Sequence, residues 1–296
     1  MLDMRYHVAS LIAVFLALAI GILLGTVIVD KGVISNQQSA LVKRIEANFT
    51  ALRDENRSLK AELYQKREFE NKSFPVVVQN KLSDTKVIII STGTLSDGSL
   101  ISNIADDLKK AGAATNTVWV QGDFKINDDA LATLQPYFQD QLSKNNAREE
   151  ILKKMVADIV KGAEDSATAA NETGSSYLQQ LKDLRYIKSD IDFNAQVAPV
   201  SKFVIVGGSE TNEDPKNTDL PIISELKALG VRVVGVESTT CKKSYMPFYQ
   251  ATEIPTVDNV DQRIGVISMI YALAGADGNY GLKKTAAQLM PNLITP

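Results

Sequence analysis

The chain has 296 residues, 45% of them hydrophobic and 23% charged, and its 32 Lys and Arg against 35 Asp and Glu leave a net charge of −3. So even a balance supplies no long-range field to draw a polyanion, and nucleic acid is not an expected partner. With one cysteine, Cys241, no intrachain disulfide can form, and the fold must stand on packing.

The first predicted element is a membrane span. From Val8 to Val29 the sequence carries no charge, and its only polar side chains are Ser10 and Thr26. At about 1.5 Å per residue this run reaches roughly 33 Å, enough to cross a hydrocarbon core of about 30 Å. A cleaved signal peptide would show a shorter apolar region and a small-residue cleavage site. Thr26-Val27-Ile28-Val29-Asp30 offers no such site, so an uncleaved anchor is expected over 1–30. No later run approaches that length, since the best one, Ile264 to Ala276, is short and contains Ser268. The chain therefore reads as single-pass in the cell membrane, in contact with lipid. Lys and Arg counts on the two flanks do not decide orientation. The short head 1–7 is easily retained in the cytoplasm, which puts the bulk of the chain on the extracytoplasmic side.

The next segment, 31–74, changes period. A heptad places Val42, Phe49, Asn56 and Leu63 at a, and Gln38, Ile45, Leu52, Leu59 and Lys66 at d. Asn56 is the polar a-position residue that fixes register in a parallel two-stranded coil. Of the flanking residues, Glu55 at g faces Lys60 at e of a partner, and Glu62 faces Arg67. No Gly or Pro interrupts Val33 to Phe74. The expectation is a coiled-coil stalk and a parallel homodimer through Val42, Ile45, Phe49, Leu52, Asn56, Leu59 and Leu63. The competing reading is an amphipathic helix packed on its own domain. Ala17, Gly21 and Gly25, spaced by four, offer the anchor a second close-approach face.

From 75 to 296 short apolar strands alternate with helical stretches. Val87 to Ile90 reads as a strand buried on both faces, followed by a turn-rich loop and a helix ending near Gly112. Thr117 to Val120 is the next strand, Phe203 to Val206 leads into Gly207-Gly208-Ser209, and Pro221 opens a helix that ends at Gly230. Val231 to Val236 is a further strand, and Thr256-Val257-Asp258 precedes a helix from about Val260 to Ala274. This order implies an α/β fold, a mostly parallel sheet with flanking helices. A helical insertion at about 128–186 has a small, polar middle, Gly162 to Ser176, and reads equally as a lid, a partner-binding hairpin or a linker.

Strand C-termini form the natural cleft of such a sheet. Gly93 and Gly98 have phosphate-loop spacing, but Ser99-Leu100 replaces the Lys-Ser/Thr that would hold the phosphates. Glu210, Glu213 and Asp214 after Gly207-Gly208 would repel a pyrophosphate, so no nucleotide cofactor is expected. The single histidine, His7, borders the membrane run, so no Ser-His or Cys-His pair can form in the distal domain, and an enzyme is not expected. Three carboxylates, Asp97, Glu237 and Asp258, fall at strand ends, where helix capping is their commoner use; Asp258 or Asn259 lies where the next helix should be N-capped. For a soft metal the candidates are Met4 with His7, one helical turn apart at the membrane boundary, and Cys241 with Met246 in one loop.

The stretch Arg5-Tyr6-His7-Val8-Ala9-Ser10-Leu11-Ile12-Ala13-Val14-Phe15-Leu16-Ala17-Leu18-Ala19-Ile20-Gly21, continuing through Leu24-Gly25, resembles the opening of the MctB copper transporter family. Thr256-Val257-Asp258-Asn259-Val260-Asp261, followed by Gly265 and an apolar helix, resembles the same family, as does the order of anchor, coil and α/β domain. The resemblance implies a membrane protein of copper homeostasis or export, with copper as the transported species, and supplies no ligand motif. The residues themselves do not resemble a β-barrel, which needs repeated ten-residue alternation. A non-enzymatic, dimeric envelope scaffold or ligand-binding protein, with other envelope proteins as partners and no copper role, is the alternative.

Overall fold

The computed structural model describes residues 4–30, 33–93, 98–121, 126–161, 177–192, 202–211 and 214–294. They divide into two units, Met1–Glu68 and Phe69–Pro296.

In the first unit α1 spans Met4–Asp30 and α2 begins at Val33. Met4–Val27 is long and apolar enough to cross a membrane, and none of it is buried within the chain. α2 runs to Val78, straight through Pro75, rather than stopping at 74. Proline there removes one backbone hydrogen bond. Burial of Phe74 and Val78 in the second unit offsets that loss.

The second unit is built on a seven-stranded sheet. Its strands are β1 (Lys86–Ser91), β2 (Ala114–Val120), β3 (Ile187–Ser189), β4 (Lys202–Val206), β5 (Arg232–Val236), β6 (Thr256–Val257) and β7 (Asn279–Tyr280). The order is β3-β2-β1-β4-β5-β6-β7. Only β3 is antiparallel to its neighbour; Ile90 of β1 lies between Val118 of β2 and Ile205 of β4. Parallel central strands are covered on both faces, which is why Val87 to Ile90 and Phe203 to Val206 are continuous apolar runs.

Ile88, Ile90, Phe203 and Ile205 face α4 (Asp128–Leu134), α5 (Ala147–Lys161), α6 (Tyr177–Asp183), α7 (Asp219–Ala228) and α8 (Met246–Gln250). Val87, Ile89, Val204 and Val234 face α3 (Leu100–Lys110), α9 (Arg263–Ala274) and the end of α2. The helical insertion thus forms part of a covering layer: Ile151, Leu152 and Met155 of α5 are fully buried, and Tyr177 Oη donates to Ile151 O at 2.8 Å. Its middle, 162–176, lies outside the described residues.

On the opposite layer Arg263 ties the α2 end to α3. Its Nη1 pairs with Asp107 Oδ2 at 2.6 Å, its Nε donates to Asn71 Oδ1 at 3.2 Å, and its guanidinium lies 4.8 Å from the Phe74 ring centroid.

Candidate functional site

The chain leaves β1 outward to β2 and β3, then returns to β4 on the other side of β1, so the sheet reverses its winding direction between β1 and β4. In open α/β sheets the region above the strand C-termini is where chemistry gathers. Among the described residues it is occupied mostly by groups that satisfy one another.

Glu237 follows β5 and is fully buried. Its Oε1 accepts from Ser244 Oγ at 2.6 Å and from Lys283 Nζ at 2.7 Å, and its Oε2 accepts from the Tyr245 N–H at 2.8 Å. The same ammonium donates to Ser238 O at 2.9 Å and approaches Cys241 Sγ at 3.1 Å. Asp258 follows β6 and accepts from the backbone N–H groups of Leu282 at 2.7 Å and Lys283 at 3.0 Å. Two buried carboxylates at adjacent strand ends therefore hold one segment, 281–283, from its backbone and from its side chain. Gly281 sits at φ +141°, and a Cβ there would fall 1.9 Å from Asp258 Oδ1. Only glycine admits that approach.

Neighbouring loops are closed in the same way. Ser209 and Lys243 exchange backbone hydrogen bonds at 3.1 and 3.0 Å, and Glu210 pairs with Lys242 at 3.3 Å. Tyr249 Oη donates to Asp219 in the first turn of α7; burial, then the Asp219 charge, pushes the tyrosine pKa well up. Buried polar atoms without a protein partner include Asn259 Oδ1 and Nδ2 and Thr92 Oγ1.

Burial pushes the Cys241 thiol up, against the pull of its hydrogen bond from Lys283. Burial lowers the Lys283 ammonium, but the hydrogen bonds to Glu237 and Cys241 outweigh it and the net displacement is upward. At neutral pH the pair is therefore a protonated thiol beside a paired ammonium, a poor nucleophile beside a poor base. Both groups hold their proton more tightly folded than unfolded. Their contribution to stability is whole below the unfolded values, about 8.5 for the thiol and 10.4 for the amine, and is lost as pH climbs through the folded ones. Thermal melts of the chain at rising pH should show the midpoint falling above about pH 8.5, with Cys241→Ala flattening the first part of that fall. A midpoint that stays level to about pH 11 would contradict the assignment.

The sequence-derived candidates are distributed as follows. Glu237 and Asp258 are at strand ends, as their positions suggested, while Asp97 lies outside the described residues. The N-cap of α9 is Gln262, not Asp258 or Asn259. The Asp258 carboxylate is already committed to Leu282 and Lys283, and Asn259 O closes a turn by accepting from Gln262 N–H at 2.9 Å, which starts the helix later. Met4 and His7 are exposed on α1; Met246 is fully buried at the start of α8, and Cys241 is half-buried against Lys283. Among the described residues no three His, Cys, Asp or Glu side chains group as a metal-holding set. Sequence reasoning missed Lys283 and Ser244, which carry no motif.

The family model described as "Copper transport outer membrane protein, MctB" matches residues 1–291. The chain belongs to the MctB family. Proteins named "Copper transporter MctB" from Mycobacterium bovis and Mycobacterium tuberculosis are each 23% identical to it over 310 aligned positions, covering 95% of this chain and 96% of the relative.

In this MctB-family chain, Thr256 to Asp261 works as a stitch between loops. Thr256 Oγ1 donates to Asn279 Oδ1 at 2.8 Å, Asp258 holds 282–283, and the Asp261 carboxylate accepts from Thr239 N–H at 2.7 Å and Thr239 Oγ at 2.6 Å. The other part of the resemblance, Arg5 to Gly25, lies on α1.

Proposed function

We propose that the chain is a single-pass membrane protein of copper homeostasis, with its N-terminus in the cytoplasm, its α/β domain outside, and copper as an exported ion rather than a resident cofactor. The observation that carries this reading is the extent of the family match, which includes the anchor as well as the domain. The name borne by the mycobacterial relatives points the same way. Within α1 the polar side chains between Val8 and Val29 are Ser10 and Thr26, so one helix offers a cation no continuous polar path. The chain would therefore act as an anchored component of an export assembly, not as a pore by itself, and not as an enzyme.

Deleting the gene in its source organism should lower growth at raised copper and increase cell-associated copper measured by mass spectrometry. The full chain should restore both, and a version lacking residues 1–30 should not. Unchanged tolerance together with unchanged copper content would overturn the copper role and leave an envelope scaffold as the better description.

A further inference from the structure

We infer that a second copy of this chain occupies the apolar face of α2, parallel and in register. This goes beyond the copper reading and does not depend on it. Val42, Ile45, Phe49, Leu52, Leu59 and Leu63 are between 50% and 65% exposed in the single chain, although they repeat at the spacing of a buried seam. Water is a poor permanent neighbour for such a stripe. Phe49, Leu52, Arg53 and Asn56 also line a groove on that face. In the heptad these are positions a, d, e and a, four residues of the kind that make up the hole receiving a knob from a facing helix. Leu52 of the second copy is the knob that fits.

The occupant is argued from the flanks. Glu55 at g meets Lys60 at e of an identical helix, and Glu62 meets Arg67, so the surface is complementary to itself in charge. In the single chain Glu62 reaches Lys66 at 3.0 Å, with the two side chains 58% and 65% exposed. That is a weak surface pair, easily exchanged. Asn56 at a meets its own counterpart only when the helices are parallel and unshifted. Beyond Leu63 the core positions become Lys66, Glu70 and Ser73, so the seam ends before Phe74 is buried in the α/β domain.

The test uses the full chain in its membrane, in a Cys241→Ser background, with single cysteines introduced as Ile45→Cys, Asn56→Cys, Leu59→Cys and, at an outward f position, Ala61→Cys. Mild oxidation should yield a species of twice the chain mass at the first three sites, at least about tenfold more than at Ala61. Crosslinking at a single site would mean an antiparallel or shifted pair and overturn the proposal, as would a product of any other mass or no product at all. Light scattering on the uncrosslinked, detergent-solubilised chain should give a dimer, and Phe49→Lys/Leu59→Lys should give a monomer. A dimer that survives that double substitution would place the contact elsewhere and also overturn the proposal.

Discussion

Lys283→Met should destabilise the α/β domain by about 3–5 kcal/mol, because it leaves the Glu237 charge buried without its cation. The pair is unusual in its asymmetry: the Glu237 side chain is fully enclosed, while Lys283 keeps 23% of its side chain exposed. Taking away the ammonium therefore does not let water in to solvate the carboxylate. Ser244 and the Tyr245 N–H remain as donors, but neither neutralises the charge. For a domain of this size the loss corresponds to a fall of about 6–20 °C in the thermal midpoint. The double variant Glu237→Gln/Lys283→Met removes both charges; its amide oxygen can still accept from the Tyr245 N–H, and its NH2 can donate to Ser244 Oγ, whose hydroxyl can turn to accept, so it should recover more than half of the loss. A single variant within about 0.5 kcal/mol of the parent would mean that the ion pair is not what holds 281–283 in place.

Gly265→Ala should cost about 3 kcal/mol or more, although alanine in a helix interior is ordinarily the better residue by about 1 kcal/mol. The sign reverses because a Cβ there would stand 2.0 Å from Asn259 O and 2.6 Å from Asn259 Oδ1. A flexible side chain could move aside, but a backbone oxygen in a pinned loop cannot. Asn259 O is tied to Gln262 N–H at 2.9 Å, and the next residue, Val260, donates to Glu237 O at 3.1 Å. Relief of the clash must therefore shift the loop that also closes over Glu237. Chemical denaturation should show a lower midpoint with an unchanged slope. A variant as stable as the parent would refute the packing argument.

These two predictions concern residues of different legibility. Gly265 was visible as part of the wording that resembles the MctB family, yet nothing in the sequence said why a glycine was needed there. Its reason is a helix-to-backbone approach that exists only once α9 is seated on the loop after β6. Lys283 carried no signal at all: it is one lysine among several, 46 residues from its partner. Glu237 and Asp258 were legible as strand-end carboxylates because an apolar run followed by an acid is a local pattern. Their partners were not, and the capping role expected of Asp258 went instead to Gln262. The insertion over 128–186 was readable as helical, but its place in the layer covering the sheet required the buried contacts of Ile151, Leu152 and Met155.

What the sequence by itself determined is whatever depends on period and length along one dimension. A charge-free run long enough for a bilayer, a seven-residue apolar repeat, and apolar runs alternating with helical stretches yield α1, the exposed stripe of α2 and an α/β sheet, because each arises from residues close in the chain. Tertiary structure alone decided which side chains meet above the strand ends. Lys283 reaches Glu237 only because β7 adds beside β6 and returns the chain to that edge. Contacts between residues far apart in the chain are set by topology, and no spacing along the sequence records them.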